Sequence, residues 1–185
     1  MSSEQSVRRL SLPLDAAQVA TLRAGEACLL SGPMFTLRDA GHLRLLAELE
    51  VQDSDEPYGL KGQAIFYAGP TPPAAGRPFG AIGPTTASRM DFAAPRLYDA
   101  GIVATIGKGV RNEAVRAACV RNGGVYFVTV GGAAAYLAKC VESSTTVAYD
   151  DLGTEALRRI EVLDFPVFVG VDTTGADVYE MAVGA

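Results

Sequence analysis

The sequence predicts an α/β fold built on a mixed sheet, and three observations carry that expectation. Short runs of β-branched and aromatic residues alternate with stretches of helical periodicity along the chain. Apolar residues make up 49% and glycines number 20, which suits a packed domain and not a disordered or fibrous chain. The ends of the chain are rich in strand-like runs, which suggests a mixed sheet in more than one layer. At 185 residues the chain fits one domain, 1–185, able to bury roughly 70% of the surface its unfolded form exposes.

The elements follow in order. Residues 1–9 are expected to be flexible, and RRLSLPL reads as a short strand. Asp15 is placed to cap the helix AAQVATLR, with Gly25 as its stop. EACLLSGPMFTL reads as a strand interrupted at Gly32-Pro33, and RDAGHLRLLAEL as a helix with Leu43, Leu46 and Leu49 on one face. An acidic turn, DSDEPYG, leads to the strand KGQAIFYAG, and the Pro/Gly-rich TPPAAGRPFG cannot continue it. Pro95 suits the first turn of the helix PRLYDA, which Gly101 ends. IVATIG is a strand, NEAVRAACVRN an amphipathic helix stopped by Gly123-Gly124, VYFVTV a buried strand and GGAAAYLAKC a helix. TTVAYDD, LRRIEVLD, FPVFVGVD and ADVYEMAV read as four further strand-like pieces.

Composition narrows the function. A net charge of −5 without any Lys/Arg-rich patch argues against a nucleic-acid partner. No apolar run is long enough to span a bilayer and the N-terminus lacks a secretory core, so a soluble cytoplasmic protein is expected. Cys28, Cys119 and Cys140 are too dispersed for a disulfide framework or a local metal site and read as buried thiols.

Four places gather polar groups at the ends of apolar elements. In TLRDAGH, Arg38 and Asp39 open a helix directly after a strand, with His42, the only histidine, one turn on. In GPTTASRM, a hydroxyl of Thr85 or Thr86 can cap a helix start or face an anion, and Arg89 adds a planar fork that matches a carboxylate. In IGKGV, Lys108 stands between two glycines on a turn that a ligand could approach. In TVGGAAA, two glycines lead from a strand to a helix, either for close packing or for a carboxylate at the helix start. Arg38, Arg89 and Lys108, with the Thr85 hydroxyl, suit a small dicarboxylate, because two carboxylates need separate clamps. The chain offers no thiolate cluster or carboxylate pair at metal-ligand spacing, so it holds a substrate without an electrophile of its own.

The run GPTTASRMDFAAPRLYDAGIVATIGKG, the earlier GPMFTLRDAGH and the later GGAAAYLAKC and DLGTEALRRIEVLDFPVFVGVD resemble the β subunit, or C-terminal domain, of class I fumarate hydratases and L-tartrate dehydratases. The likeness spans about Leu14 to Tyr179. It implies a swivelling β/β/α fold and a hydro-lyase that interconverts fumarate and L-malate, with L-tartrate or mesaconate as alternative substrates. A [4Fe-4S] cluster would then be held by a partner α subunit in a hetero-oligomer. By position, Thr85 resembles the family's catalytic base, and Arg38, Arg89 and Lys108 resemble its carboxylate ligands. Asp39 and His42 fall in the RDxxH pattern and imply an orienting or interface role, with Thr86 in support. Gly41 and Thr154 depart from residues common in the family and are expected to lie outside the site. A contrasting reading makes the chain a non-catalytic dicarboxylate-binding or regulatory module.

Overall fold

The computed structural model describes residues 7–51, 57–73, 75–78 and 80–183. The first four residues of the acidic turn, the start of the expected flexible segment and parts of the Pro/Gly-rich loop fall outside these. Arg8 and Arg9, expected to be flexible, belong instead to strand β1 (Arg8–Ser11), because they pair with Cys28 and Leu29.

The chain is α/β with a seven-stranded mixed sheet. The strands β1, β2 (Ala27–Thr36), β3 (Ala64–Phe66), β4 (Ala104–Gly107) and β5 (Val125–Val128) run parallel to their neighbours in that order. Strand β7 (Leu157–Val171) pairs antiparallel with both β5 and β2, so β2-β3-β4-β5-β7 form a closed hydrogen-bonded circuit. Strand β6 (Val141–Ala148) adds to β7 from outside that circuit.

Closure depends on a bend in β7. LRRIEVLD and FPVFVGVD, expected as two strands, are one, because Asp164 takes a left-handed φ of 50° and its N–H donates to Ser31 Oγ at 3.0 Å. The register against β2 slips there, between Leu30 and Gly32, and the strand bends without ending. The same bulge corrects the expected interruption at Gly32-Pro33. Gly32 takes φ 119°, and a Cβ on it would lie 2.6 Å from the Leu12 carbonyl, so β2 continues through both residues.

Alternation along the strands divides the core. Ala64, Phe66, Ile106, Phe127 and Phe165 share one apolar cluster, to which every strand of the circuit contributes. Ile65, Tyr126 and Val171 face the other way, under α2 (Asp39–Val51), α3 (Ala94–Asp99) and α4 (Glu113–Asn122). Within α2 the buried stripe is His42, Leu45 and Leu49, with Leu46 packed partly buried beside it, so of the expected face Leu46 and Leu49 meet the core whereas Leu43 is 60% exposed.

Local chemistry accounts for the helix ends. Asp15 caps α1 (Ala16–Thr21) through a capping box with Gln18, and Asn112 caps α4, which ends on left-handed Gly123. ADVYEMAV is a helix, α6 (Val178–Val183), and not a strand, because the Asp177 carboxylate accepts from the Tyr179 N–H and starts a helical turn. No helix of the described residues is long and apolar enough to cross a membrane.

Candidate active site

Because β2, β3 and β4 run parallel, the segments leaving their C-terminal ends emerge side by side, the usual location of sites on such sheets. Arg38 follows β2, Tyr67 follows β3 and Lys108 follows β4. The GPTT segment lies between the last two. Its Thr85 N–H donates to the Tyr67 carbonyl at 2.7 Å, and the Lys108 N–H donates to the Thr85 carbonyl at 3.2 Å. The Ala87 N–H in turn donates to the Lys108 carbonyl at 2.8 Å, which makes Thr86 and Lys108 a short parallel bridge. Thus two motifs more than twenty residues apart are neighbours through the backbone.

Residues Ala87–Met90 form a 3-10 turn, and of the two openings left for the threonine hydroxyls the capping one is not used, since the Thr86 side chain does not cap it. Among the described residues the Thr85 and Thr86 hydroxyls have no hydrogen-bond partner, and the Lys108 ammonium has no ion-pair partner. The turn aims Arg89 at α2, where its Nε and Nη2 both lie 2.9 Å from Asp39 Oδ1. Arg89 therefore keeps Nη1 and part of Nη2 for another acceptor.

Arg38 is held more loosely. Its nearest carboxylate oxygens, on Asp39 and Glu155, lie at 3.7 and 3.8 Å, beyond hydrogen-bond distance. Its Nε and Asp39 Oδ2 are both buried without a partner. A partly buried guanidinium with uncommitted donors is suited to a carboxylate from outside the chain. The expected set Arg38, Asp39, Thr85, Thr86, Arg89 and Lys108 is thus linked residue to residue, through Asp39 on one side and the Thr86 to Lys108 bridge on the other.

His42 is different. Its ring is fully buried, so it neither meets a solvent-borne ligand nor belongs to an exposed interface. Nδ1–H donates to the Arg38 carbonyl at 2.8 Å, and the ring stands edge-on to Tyr67 with centroids 5.2 Å apart. Burial pushes its pKa down to about 4; the Arg38 carbonyl and Asp39 oppose the shift and Arg111 adds to it. A neutral ring that bonds the Arg38 backbone fits the orienting role.

The TVGGAAA stretch resolves towards packing. The helix α5 (Ala134–Leu137) has only four residues, and a Cβ on Gly131 would touch the Lys108 stem at 3.7 Å. Gly107 is tighter still. A Cβ there would come within 2.9 Å of Ala87 Cβ, 3.1 Å of the Tyr67 ring and 3.4 Å of the Thr85 carbonyl. Gly107→Ala is therefore expected to cost about 1–3 kcal/mol by wedging the GPTT segment off β4. Urea unfolding checks this, and an unchanged midpoint would refute the close approach.

Sequence reasoning passed over Glu155, Tyr67, Asp91 and Arg111. Glu155 accepts from the Ala40 N–H at 2.7 Å and shares Arg38. Its neighbours were also misjudged. A Cβ on Gly41 would lie 2.7 Å from the Glu155 carbonyl, and the Thr154 carbonyl borders Gly69, on which Arg38 packs. Positions 41 and 154 therefore touch the site's edge, contrary to expectation. The available signals were adjacency to known motifs: Asp91 extends the GPTTASRM run, Arg111 follows IGKGV, and Glu155 lies in LGTEAL.

The three thiols do not fit a cluster. Cys28 and Cys140 belong to one face's core and Cys119 to the other's. Burial pushes Cys28 and Cys119 up to about 11 and raises Cys140 as well, so all three are protonated at neutral pH. Among the described residues no group of three His, Cys, Asp or Glu could hold a metal ion.

Comparison with known proteins shows the family. The family model for the fumarase C-terminus matches residues 1–182. Fumarate hydratase class I, anaerobic, of Escherichia coli is 40% identical over 156 residues, which is 83% of this chain and 28% of that protein. Fumarate hydratase 2 of Leishmania major is 38% identical over 176 residues, 92% of this chain and 30% of the relative. The L(+)-tartrate dehydratase subunit beta of E. coli is 32% identical over 171 residues, 90% of this chain and 83% of that subunit. The chain thus spans less than a third of these fumarate hydratases but most of the tartrate dehydratase subunit. This chain belongs to the fumarase C-terminus family.

Proposed function

We propose that this chain is the substrate-binding β subunit of a two-subunit hydro-lyase that interconverts fumarate and L-malate. The observations that support the reading are the backbone pairing of the GPTT segment with Lys108 and the contact of Arg89 with Asp39, next to Arg38, with the Thr85 hydroxyl free of hydrogen bonds among the described residues. The likeness to a tartrate dehydratase subunit beta supports a partner subunit.

Hydration adds the oxygen of water to one alkene carbon and a proton to the other; dehydration reverses both. In this reading the guanidinium forks of Arg38 and Arg89 and the Lys108 ammonium hold the two carboxylates. Asp39 keeps Arg89 pointed at them. The Thr85 hydroxyl takes the proton from the carbon beside a carboxylate in dehydration and returns it in hydration, its deprotonated form favoured by the surrounding cations. The buried, protonated thiols make this chain unsuited to a [4Fe-4S] cluster, which falls to the α subunit of a cytoplasmic hetero-oligomer.

The test is co-expression with a cysteine-bearing α subunit and anaerobic purification, followed by assays with fumarate, L-tartrate and mesaconate. A stable complex that hydrates fumarate is expected. Turnover of tartrate or mesaconate alone would replace the substrate, and a complex inert towards all three would overturn the reading.

A further inference from the structure

Beneath the candidate site lies a buried ion pair. The Arg111 side chain is wholly buried, and its Nε donates to Asp91 Oδ1 at 2.6 Å. The other Asp91 oxygen accepts from the Asn112 N–H at 2.8 Å. Arg111 Nη1 donates to Thr105 Oγ1 at 3.1 Å, and Nη2 reaches the Tyr67 hydroxyl at 3.4 Å. The guanidinium also lies over the Tyr126 ring at 4.7 Å and the Tyr67 ring at 5.3 Å.

Three contacts of this hub, Asp91, Tyr67 and Tyr126, lie on or touch a segment that carries a site residue. Asp91 is two residues after Arg89 and closes the 3-10 turn, its N–H donating to the Ser88 carbonyl. The Tyr67 carbonyl accepts from the Thr85 N–H. The Tyr126 hydroxyl donates to the Gly109 carbonyl at 2.8 Å, while the Gly109 N–H donates to the Tyr179 hydroxyl at 3.2 Å, so the peptide next to Lys108 is gripped from both sides. Tyr126 and Tyr179 come from β5 and α6, and Asp91 and Arg111 directly follow the two motif segments.

Stability alone does not account for the pair. Removing two charges from water is costly, and apolar residues of similar volume often serve as well or better in such positions. What apolar residues lack is direction: a guanidinium committed to a carboxylate, two hydroxyls and two ring faces has a single orientation.

We infer that Asp91 and Arg111 are positioning residues that lock the GPTTASRM turn and the IGKGV turn into one register, so that Thr85, Arg89 and Lys108 face the same dicarboxylate. The inference rests on the function proposed above and adds the device that aligns its parts.

The test compares Asp91→Leu/Arg111→Met and Arg111→Lys with the parent chain, each in complex with the α subunit. Three readouts are used: thermal midpoint, kcat and KM for fumarate, and amide hydrogen exchange across residues 83–91 and 107–112. A displacement of about 1 Å costs on the order of 100-fold in rate. The expected result is a double variant that stays folded, loses about 100-fold in kcat/KM mainly through kcat, and exchanges at least tenfold faster in those two segments only. Arg111→Lys, which keeps the charge but not the fork, should show the same localised exchange, and it decides the matter if the double variant does not fold. A folded variant with parental kcat/KM and parental exchange would overturn the inference. The parent complex separates the two proposals: if it is inert towards fumarate, L-tartrate and mesaconate, the function proposed above fails. The exchange measurement decides the positioning role even then.

Discussion

Thr85→Ala in the complex with the α subunit is expected to lower kcat for fumarate hydration about 1000-fold, with the thermal midpoint unchanged. A positioned proton-transfer group contributes roughly 100- to 10,000-fold, which sets the scale. Stability should be spared because the backbone of Thr85, and not its side chain, ties the segment down, through the Tyr67 carbonyl and the Lys108 N–H. Its hydroxyl makes no hydrogen bond among the described residues, so its removal strands no buried partner. Thr85→Ser, which keeps the oxygen, should recover most of the rate. Arg89→Met should act chiefly on KM, because its fork binds the substrate carboxylate in ground and transition states alike. Activity within threefold of the parent in Thr85→Ala would remove this residue from proton transfer.

The second large effect concerns acid. His42 is buried neutral, with its pKa pushed by burial from 6.5 down to about 4. Between these values the unfolded chain binds a proton that the folded chain refuses, so stability is full above pH 6.5 and falls as pH drops towards 4. The loss from this one group amounts to about 3 kcal/mol. Urea unfolding of the parent and of His42→Asn at pH 7, 5.5 and 4 checks it. The variant should start lower at pH 7, from lost packing against Tyr67, and the two curves should converge by pH 4. Parallel curves would show that His42 titrates normally in the folded chain. Because the ring bonds the Arg38 carbonyl, the same acid window should loosen the first turn of α2 and with it Arg38 and Asp39.

Much of the fold was legible in local chemistry. Asp15 as a cap, Gly123 as a stop and the apolar strands IVATIG and VYFVTV are decisions made within a few residues, where capping and periodicity dominate. The misreadings share a cause. Asp164 in β7 and Asp177 before α6 are turn-formers whose effect depends on a partner, Ser31 Oγ in one case and the Tyr179 N–H in the other. Leu43 shares a helical face with Leu46 and Leu49 in the sequence, but the fold turns the His42 side of α2 inward and leaves Leu43 exposed.

By itself the sequence determined the α/β class, the family and the residue types of the candidate site, because motif spacing and hydrophobic period are properties of the chain. Only the tertiary structure decided that β7 bends to close the sheet, that His42 lies beneath the site and not in it, and that Asp91 and Arg111 meet under two distant motifs. These are long-range pairings, settled by which strands run parallel and where their ends fall. No window of neighbouring residues contains that information.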